Sequence, residues 1–203
     1  MKASEVERWR LPTPLRKVIF RSFDHRCGAC ERRGRPGNPL EIAHLTNFPD
    51  TFAEATDGLT LAGPIPAKTR AAIEKVVNHG FHQVGNMVPL HRETCHRPFD
   101  LLRFVDVQAY RQRKQQLAHL QRQAACRSAR NGVYLRFIRH ELRLAFSTHL
   151  LSYMWVVETL HHVSLAYRAG DLDIPSTMIV HPRSRRFRNA RFRVSIEDGS
   201  IRQ

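Results

Sequence analysis

Three short stretches hold side chains that bind metals or move protons: Cys27-Gly-Ala-Cys30, Leu40-Glu-Ile-Ala-His44, and Gly85-Asn86-Met-Val-Pro-Leu-His91-Arg-Glu-Thr-Cys95-His96-Arg-Pro-Phe-Asp100. Cys27 and Cys30 form one clip and His91 with Cys95 a second. Together they offer four soft or borderline donors, the complement of a closed tetrahedral zinc site. Each clip bends the backbone around a metal, and the pair would tie together segments distant in sequence. His25 and His82 stand as alternatives to His91 for the fourth ligand. Cys126 stands alone in a basic stretch and belongs to no clip. His44, Asn86 and His96 are left over once the zinc is satisfied, and surplus ligands beside a structural metal are candidates for chemistry. His79, His82, His161 and His162 have no spacing that points to a ligand set and are expected mostly at the surface.

Positioning such a site takes an ordered core, which the composition allows. With 203 residues, 42% of them hydrophobic, the chain can bury one good core, or a small domain with an appended second one. The charge balance is unusual: 33 Lys+Arg against 18 Asp+Glu gives +15. Polyphosphate is the common partner of such a surface, because each neutralised phosphate releases condensed counterions. Arg far outnumbers Lys, and its planar fork suits bidentate phosphate or guanine contacts. A solvated basic surface would have the same composition. The N-terminal Met1–Trp9 is charged where a signal peptide would be apolar. The most apolar stretch, 150–157, is too short to span a bilayer. A cytoplasmic protein with no membrane partner is expected, and in a reducing cytosol Cys-x-x-Cys reads as a metal clip rather than a disulfide.

The fold class expected is α+β, in three zones. Residues 1–104 hold the clusters, with a core of 24–104 and an insertion of 46–84. A helix is expected over Pro14–Phe23, a strand over Leu40–Leu45, a second strand over Gly85–Leu90 and a helix over Arg92–Phe104. Within the insertion, Asn47–Pro66 reads as loop and Ala67–Asn78 as helix. Residues 105–131 read as a basic linker helix capped by Asp106, with a thin apolar stripe of Tyr110, Leu117, Leu120 and Ala124. Residues 132–203 read as a helical and β C-terminal domain. Leu135, Ile138, Leu142, Phe146, Leu150, Met154, Val157 and Leu160 recur at helical spacing, as one long helix or a hairpin broken near Ser147. Thr177–Val180 and Phe192–Ile196 read as short strands.

The three stretches, taken in order, resemble the HNH endonuclease family in its zinc-stapled ββα-metal form. The resemblance covers roughly residues 20–104. It implies metal-dependent hydrolysis of DNA phosphodiesters to a 5′-phosphate and a 3′-hydroxyl. His44 would be the general base. Asn86 would tie the loop between the strands and orient His44. His96 would bind the catalytic divalent metal, Mg²⁺ or Mn²⁺, with Asp100 one helical turn on. Cys27, Cys30, His91 and Cys95 would hold the structural Zn²⁺. Three departures stand out, one being an insertion between His44 and Asn86 that is longer than the minimal motif needs. Many members have Asp or His just before the general base, where this chain has Ala43; Glu41 shares that face of the strand and could take its place. His91 stands where many members have Cys, with one extra residue before Cys95.

DNA contacts are expected from Arg92, Arg97, Arg111, Arg113 and Lys114, and from Arg185, Arg186, Arg188, Arg191 and Arg193. The alternation of Arg with Phe187 and Phe192 could stack on bases, or belong to an edge strand with a basic outer face. The C-terminal zone would serve target binding, partner contacts or homodimerisation. A restriction or other defence enzyme fits, as does a mobile-element homing enzyme. The competing class is a zinc-stapled DNA-binding protein whose metal site has decayed, favoured by Ala43. An RNA-directed component fits the charge equally well.

Overall fold

The computed structural model describes residues 1–59, 63–145, 152–183 and 189–203. Among these the architecture is mixed, with helices around two small antiparallel sheets, in keeping with an α+β class. Helix α1, Thr13–Ser22, begins with Pro14 in its first turn and buries Leu15, Val18 and Ile19. Strand β1, Leu40–His44, pairs antiparallel with β2, Met87–His91, so that His44 faces Met87 and Leu40 faces His91.

The segment between these strands is more helical than its composition suggests. Asn47 caps a helix α2, Phe48–Ala55, by accepting from the Asp50 backbone, and Pro49 falls in the first turn, where its missing N–H costs nothing. The expected loop over 47–66 is thus corrected for its first part; 60–62 lie outside the described residues. Helix α3, Ala67–Phe81, runs three residues past the expected end. The second strand starts at Met87 rather than Gly85, because Val84–Asn86 form a 3-10 turn. The helix expected from Arg92 is likewise split: Arg92–His96 make a π turn, and α4 runs from Arg97 to Val105 with Pro98 in its first turn.

Strand β2 is buried on both faces. Met87 faces a large core with Leu15, Ile19, Tyr134 and Trp155, whereas Val88 and Leu90 face a second core with Phe23, Cys27, Ala43 and Phe99. Pro89 is tolerated at mid-strand because its backbone N and carbonyl lie on the side away from β1, where no ladder donor is needed. Its carbonyl on that outer side accepts from the Gly28 backbone at 2.8 Å, docking the Cys27–Cys30 loop on the strand edge. A Cβ at Gly28 would stand 2.5 Å from Val88 Cγ1, so only glycine allows this approach.

Helix α5, Val107–Arg130, is capped by Asp106, which accepts from the Ala109 backbone. It is packed rather than solvated all round: Leu117 and Ala124 enter the second core, Ala125 and Ala129 the first. Helices α6, Val133–Arg143, and α7, Ser152–Arg168, complete the large core and are separate elements. The expected break near Ser147, with Phe146 and Leu150, lies outside the described residues. Val157, expected in the apolar stripe, is 38% exposed; the buried face of α7 is instead Trp155, Val156, Leu160 and Val163. Strands β3, Thr177–Val180, β4, Phe192–Ser195, and β5, Ser200–Arg202, form a sheet with β4 in the middle. Phe192 is buried in the large core, so its ring is not presented for stacking on a base. No helix among the described residues is long and apolar enough to cross a membrane.

Candidate metal centre and adjoining histidine cleft

The strand pairing and the docked loop bring the two clips together. The donor atoms of Cys27, Cys30, His91 and Cys95 all lie within 4.8 Å of one another. Ligands bonded to zinc at about 2.0–2.3 Å in a tetrahedron stand roughly 3.5–3.8 Å apart, so this set can close on a metal such as zinc with small adjustment. Cys30 Sγ is 3.2 Å from His91 Nδ1, and His91 Nε2 donates to the Arg33 carbonyl at 3.0 Å. That second bond fixes the tautomer that leaves Nδ1 for the metal. The Ala29 N–H points at Cys27 Sγ at 3.4 Å, which holds the sulfur in place within the loop. The alternatives for the fourth ligand are otherwise engaged: His25 stacks on Phe20, and His82 is built into the neighbouring cleft. Cys126 is exposed on α5 and is not part of the cluster.

The C-terminal donors sit at the end of β2 and in the π turn, so the next residue, His96, leaves the cluster pointing elsewhere. Its Nδ1 lies 3.4 Å from Glu41 and its Nε2 3.4 Å from Asp100. Glu41 also pairs with Arg92, whose hydrogen bond is the main reason its carboxyl is held below the usual range. Ala43 is fully buried in the second core, so a ligand side chain at that position would point away from solvent. Glu41, two residues earlier, is the strand residue whose carboxylate reaches His96.

His44 ends β1 with its ring stacked on Phe81, centroids 3.8 Å apart. Its Nε2 is 3.2 Å from His82 Nδ1, and His82 Nε2 is 2.9 Å from the Trp9 carbonyl. A carbonyl only accepts, so a neutral His82 donates from Nε2 and accepts at Nδ1. His44 then carries its proton on Nε2 and keeps a lone pair on Nδ1. His82, expected at the surface, is 2% exposed. No regular spacing links it to His44; the contact arises because α3 returns beside β1. Trp9 is held in turn by Asn78 and Glu74 of α3, which also brings Arg8 over the Phe81 ring at 4.5 Å.

Asn86 makes its hydrogen bonds to the backbone of Thr46 and Phe81 rather than to His44. Its Oδ1 accepts from the Thr46 backbone at 2.7 Å, and its Nδ2 donates to the carbonyls of Thr46 and Phe81. It therefore clamps the chain just beyond His44 to the end of α3. The turn bearing Asn86 is propped from the C-terminal half: Glu158 accepts from the Val84 and Gly85 backbones, and Gln121 donates to the Val84 carbonyl.

His44, His96 and Asp100 line one open cleft of about 440 Å³ with Arg8 and Arg103. A second of about 530 Å³ adjoins it past Glu41, Arg10 and Arg16. Of the basic residues expected to meet DNA, Arg92 and Arg97 pair with Glu41 and Glu93. Arg111 is exposed on α5, Arg113 donates to Gln116, and Lys114 lines a different cleft. Arg191 and Arg193 are exposed at β4; Arg185, Arg186 and Arg188 lie outside the described residues. Arg8 and Arg103, which sequence reasoning passed over, are the arginines at the cleft itself. Comparison with protein-family models, curated proteins and solved structures finds no match to the chain.

The cluster predicts close to one tightly held zinc per chain by metal analysis, and loss of both zinc and cooperative folding in a Cys27→Ser, Cys30→Ser protein, because structural zinc contributes folding free energy. Well-folded protein free of metal would contradict it.

A second prediction concerns acid. Burial pulls the His44 imidazole from 6.5 down to about 2, assisted by the charges of His82, Arg8 and His96. In the unfolded chain the ring takes a proton below about pH 6.5; in the fold it stays neutral until about pH 2. Its contribution is therefore complete above pH 6.5 and is lost as pH falls, by up to about 1.4 kcal/mol per pH unit. Burial lowers His79 and His162 in the same sense. Denaturant midpoints should drop between pH 7 and pH 5, and His44→Gln should remove part of that dependence. Equal slopes for the two proteins would contradict the assignment.

Proposed function

We propose that the protein is a metal-dependent DNA endonuclease of the zinc-stapled ββα-metal (HNH) type. The observation that carries this reading is the meeting of His44 and His96 in one cleft, while Asn86 clamps the chain beyond His44. The order of parts supports it: two antiparallel strands, the Cys/His cluster at the strand–helix junction, then a helix bearing His96 at its entry and Asp100 one turn on. The +15 charge and the arginines at the cleft suit a polyanionic substrate.

In this reading His44 Nδ1 takes a proton from the water that attacks the phosphorus. The bond from phosphorus to the 3′ oxygen breaks, and the leaving oxygen takes a proton from solvent water, giving a 5′-phosphate and a 3′-hydroxyl. His44 is already in the neutral form that a base needs, and a bound phosphate anion raises its affinity for a proton as transfer begins. His82 holds the ring's other nitrogen, which keeps the lone pair turned to the cleft. His96 with Glu41 or Asp100 would hold a divalent ion, Mg²⁺ or Mn²⁺. Imidazole and carboxylate donors suit such an ion, which when bound would polarise the phosphate. To do so His96 gives up one of its two carboxylate contacts. Arg8, held over the Phe81 ring on which His44 also stacks, is positioned to meet a phosphate oxygen.

A second reading is a DNA-binding protein that does not cut. It is favoured by the buried Ala43 and by the way Glu41 and Asp100 already close both nitrogens of His96.

The test is conversion of supercoiled plasmid to nicked or linear DNA with added Mg²⁺ or Mn²⁺. His44→Ala should cut about a hundred- to ten-thousand-fold more slowly while DNA affinity holds, since it removes the base and leaves the zinc cluster intact. His96→Ala should also fail, and higher metal concentration should not restore it. Tight binding by wild type with no cutting under either metal would replace the nuclease with the non-cutting binder.

A further inference from the structure

The charge of this protein has a second focus, away from the histidine cleft. Helices α1 and α6 pack side by side and leave between their exposed edges a groove of about 350 Å³. Lys17 and Arg21 line it from α1, Arg136 and His140 from α6, and Val18 with Phe137 form part of its floor. Among the described residues its lining holds no carboxylate. Lys17 and Arg21 are four apart on α1, so like charges face each other along that helix and meet Arg136 across the groove. Such pairs are mutually repulsive. An anion in the groove removes the repulsion, and the apolar floor accommodates the sugar face of a nucleotide.

We infer that the α1–α6 groove binds the sugar–phosphate backbone of duplex DNA, as a contact separate from the histidine cleft. Helix α1 lies between the groove and the cleft that adjoins the histidine cleft: Arg16 lines that adjoining cleft, and Lys17 and Arg21 line the groove. A backbone seated in the groove therefore lies across α1 from the adjoining cleft. Phosphate contacts of this kind fix position and orientation without reading sequence. The inference stands on the charge and shape of the groove, and holds whether or not the neighbouring cleft cuts.

The experiment is equilibrium binding of linear duplex DNA to the full chain over a range of salt, without added divalent metal, so that cleavage does not enter. Lys17→Ala, Arg21→Ala, Arg136→Ala in one protein is compared with Lys68→Ala, Arg70→Ala, Lys75→Ala, which removes the same charge from the exposed side of α3. All six side chains are exposed, so both proteins should fold. The groove variant should bind more weakly, with a log–log salt slope shallower by roughly 2.7, at about 0.9 for each of three phosphates. The α3 variant should keep a slope close to wild type. An unchanged slope in the groove variant, or an equal loss in both, overturns the inference, since the second outcome reflects net charge alone. Failure of plasmid cutting leaves this result intact.

Discussion

The closure of Cys27, Cys30, His91 and Cys95 on one point is the constraint from which the rest of the site follows. Cys27 and Cys30 sit on a loop with little regular structure of its own, His91 ends β2, and Cys95 lies within the π turn. Bringing four donors within 4.8 Å fixes the exit of β2, and with it the direction in which His96 leaves the strand. Packing reinforces the same point. Cys27 is itself buried in the second core, and Gly28 lets the loop lie directly against Val88.

A second layer of wiring makes the cleft depend on distant parts of the chain. The N-terminal segment is tied to α3 through Trp9 and Asn78, and α3 returns His82 to His44. From the opposite side, α5 and α7 hold the turn that carries Asn86, through Gln121 and Glu158. Burial raises the Glu158 carboxyl, opposed by the two backbone N–H groups it accepts from. The C-terminal half thus shares a core with α1 and β2 and also braces the site turn, so that its loss would be felt at His44 through Asn86.

Much of this was legible in the residue pattern, for identifiable reasons. The α1, β1 and α5 segments follow from local signals: Pro14 in a first turn, alternation over Leu40–Leu45, and Asp106 as a cap. The clips were legible because metal spacing is short-range chemistry. What escaped was non-local or locally contradictory. Helix α2 hides behind Pro49, which reads as loop until Asn47 is recognised as its cap. Gly85 and Asn86 read as the start of the strand because the apolar run Met87–Leu90 follows them, yet Glu158 and Gln121 claim the backbone of their turn. No spacing signals the pairing of His82 with His44, since the two are 38 residues apart. Glu41 was readable as a stand-in for Ala43 from strand alternation, and its carboxylate does reach His96.

X-ray absorption at the zinc edge of the purified full-length protein tests the central constraint most directly. The account predicts a four-coordinate shell of three sulfurs at about 2.3 Å and one nitrogen at about 2.0–2.1 Å, from Cys27, Cys30, Cys95 and His91. A shell of oxygen and nitrogen alone, or four sulfurs with Cys126 recruited, would contradict it.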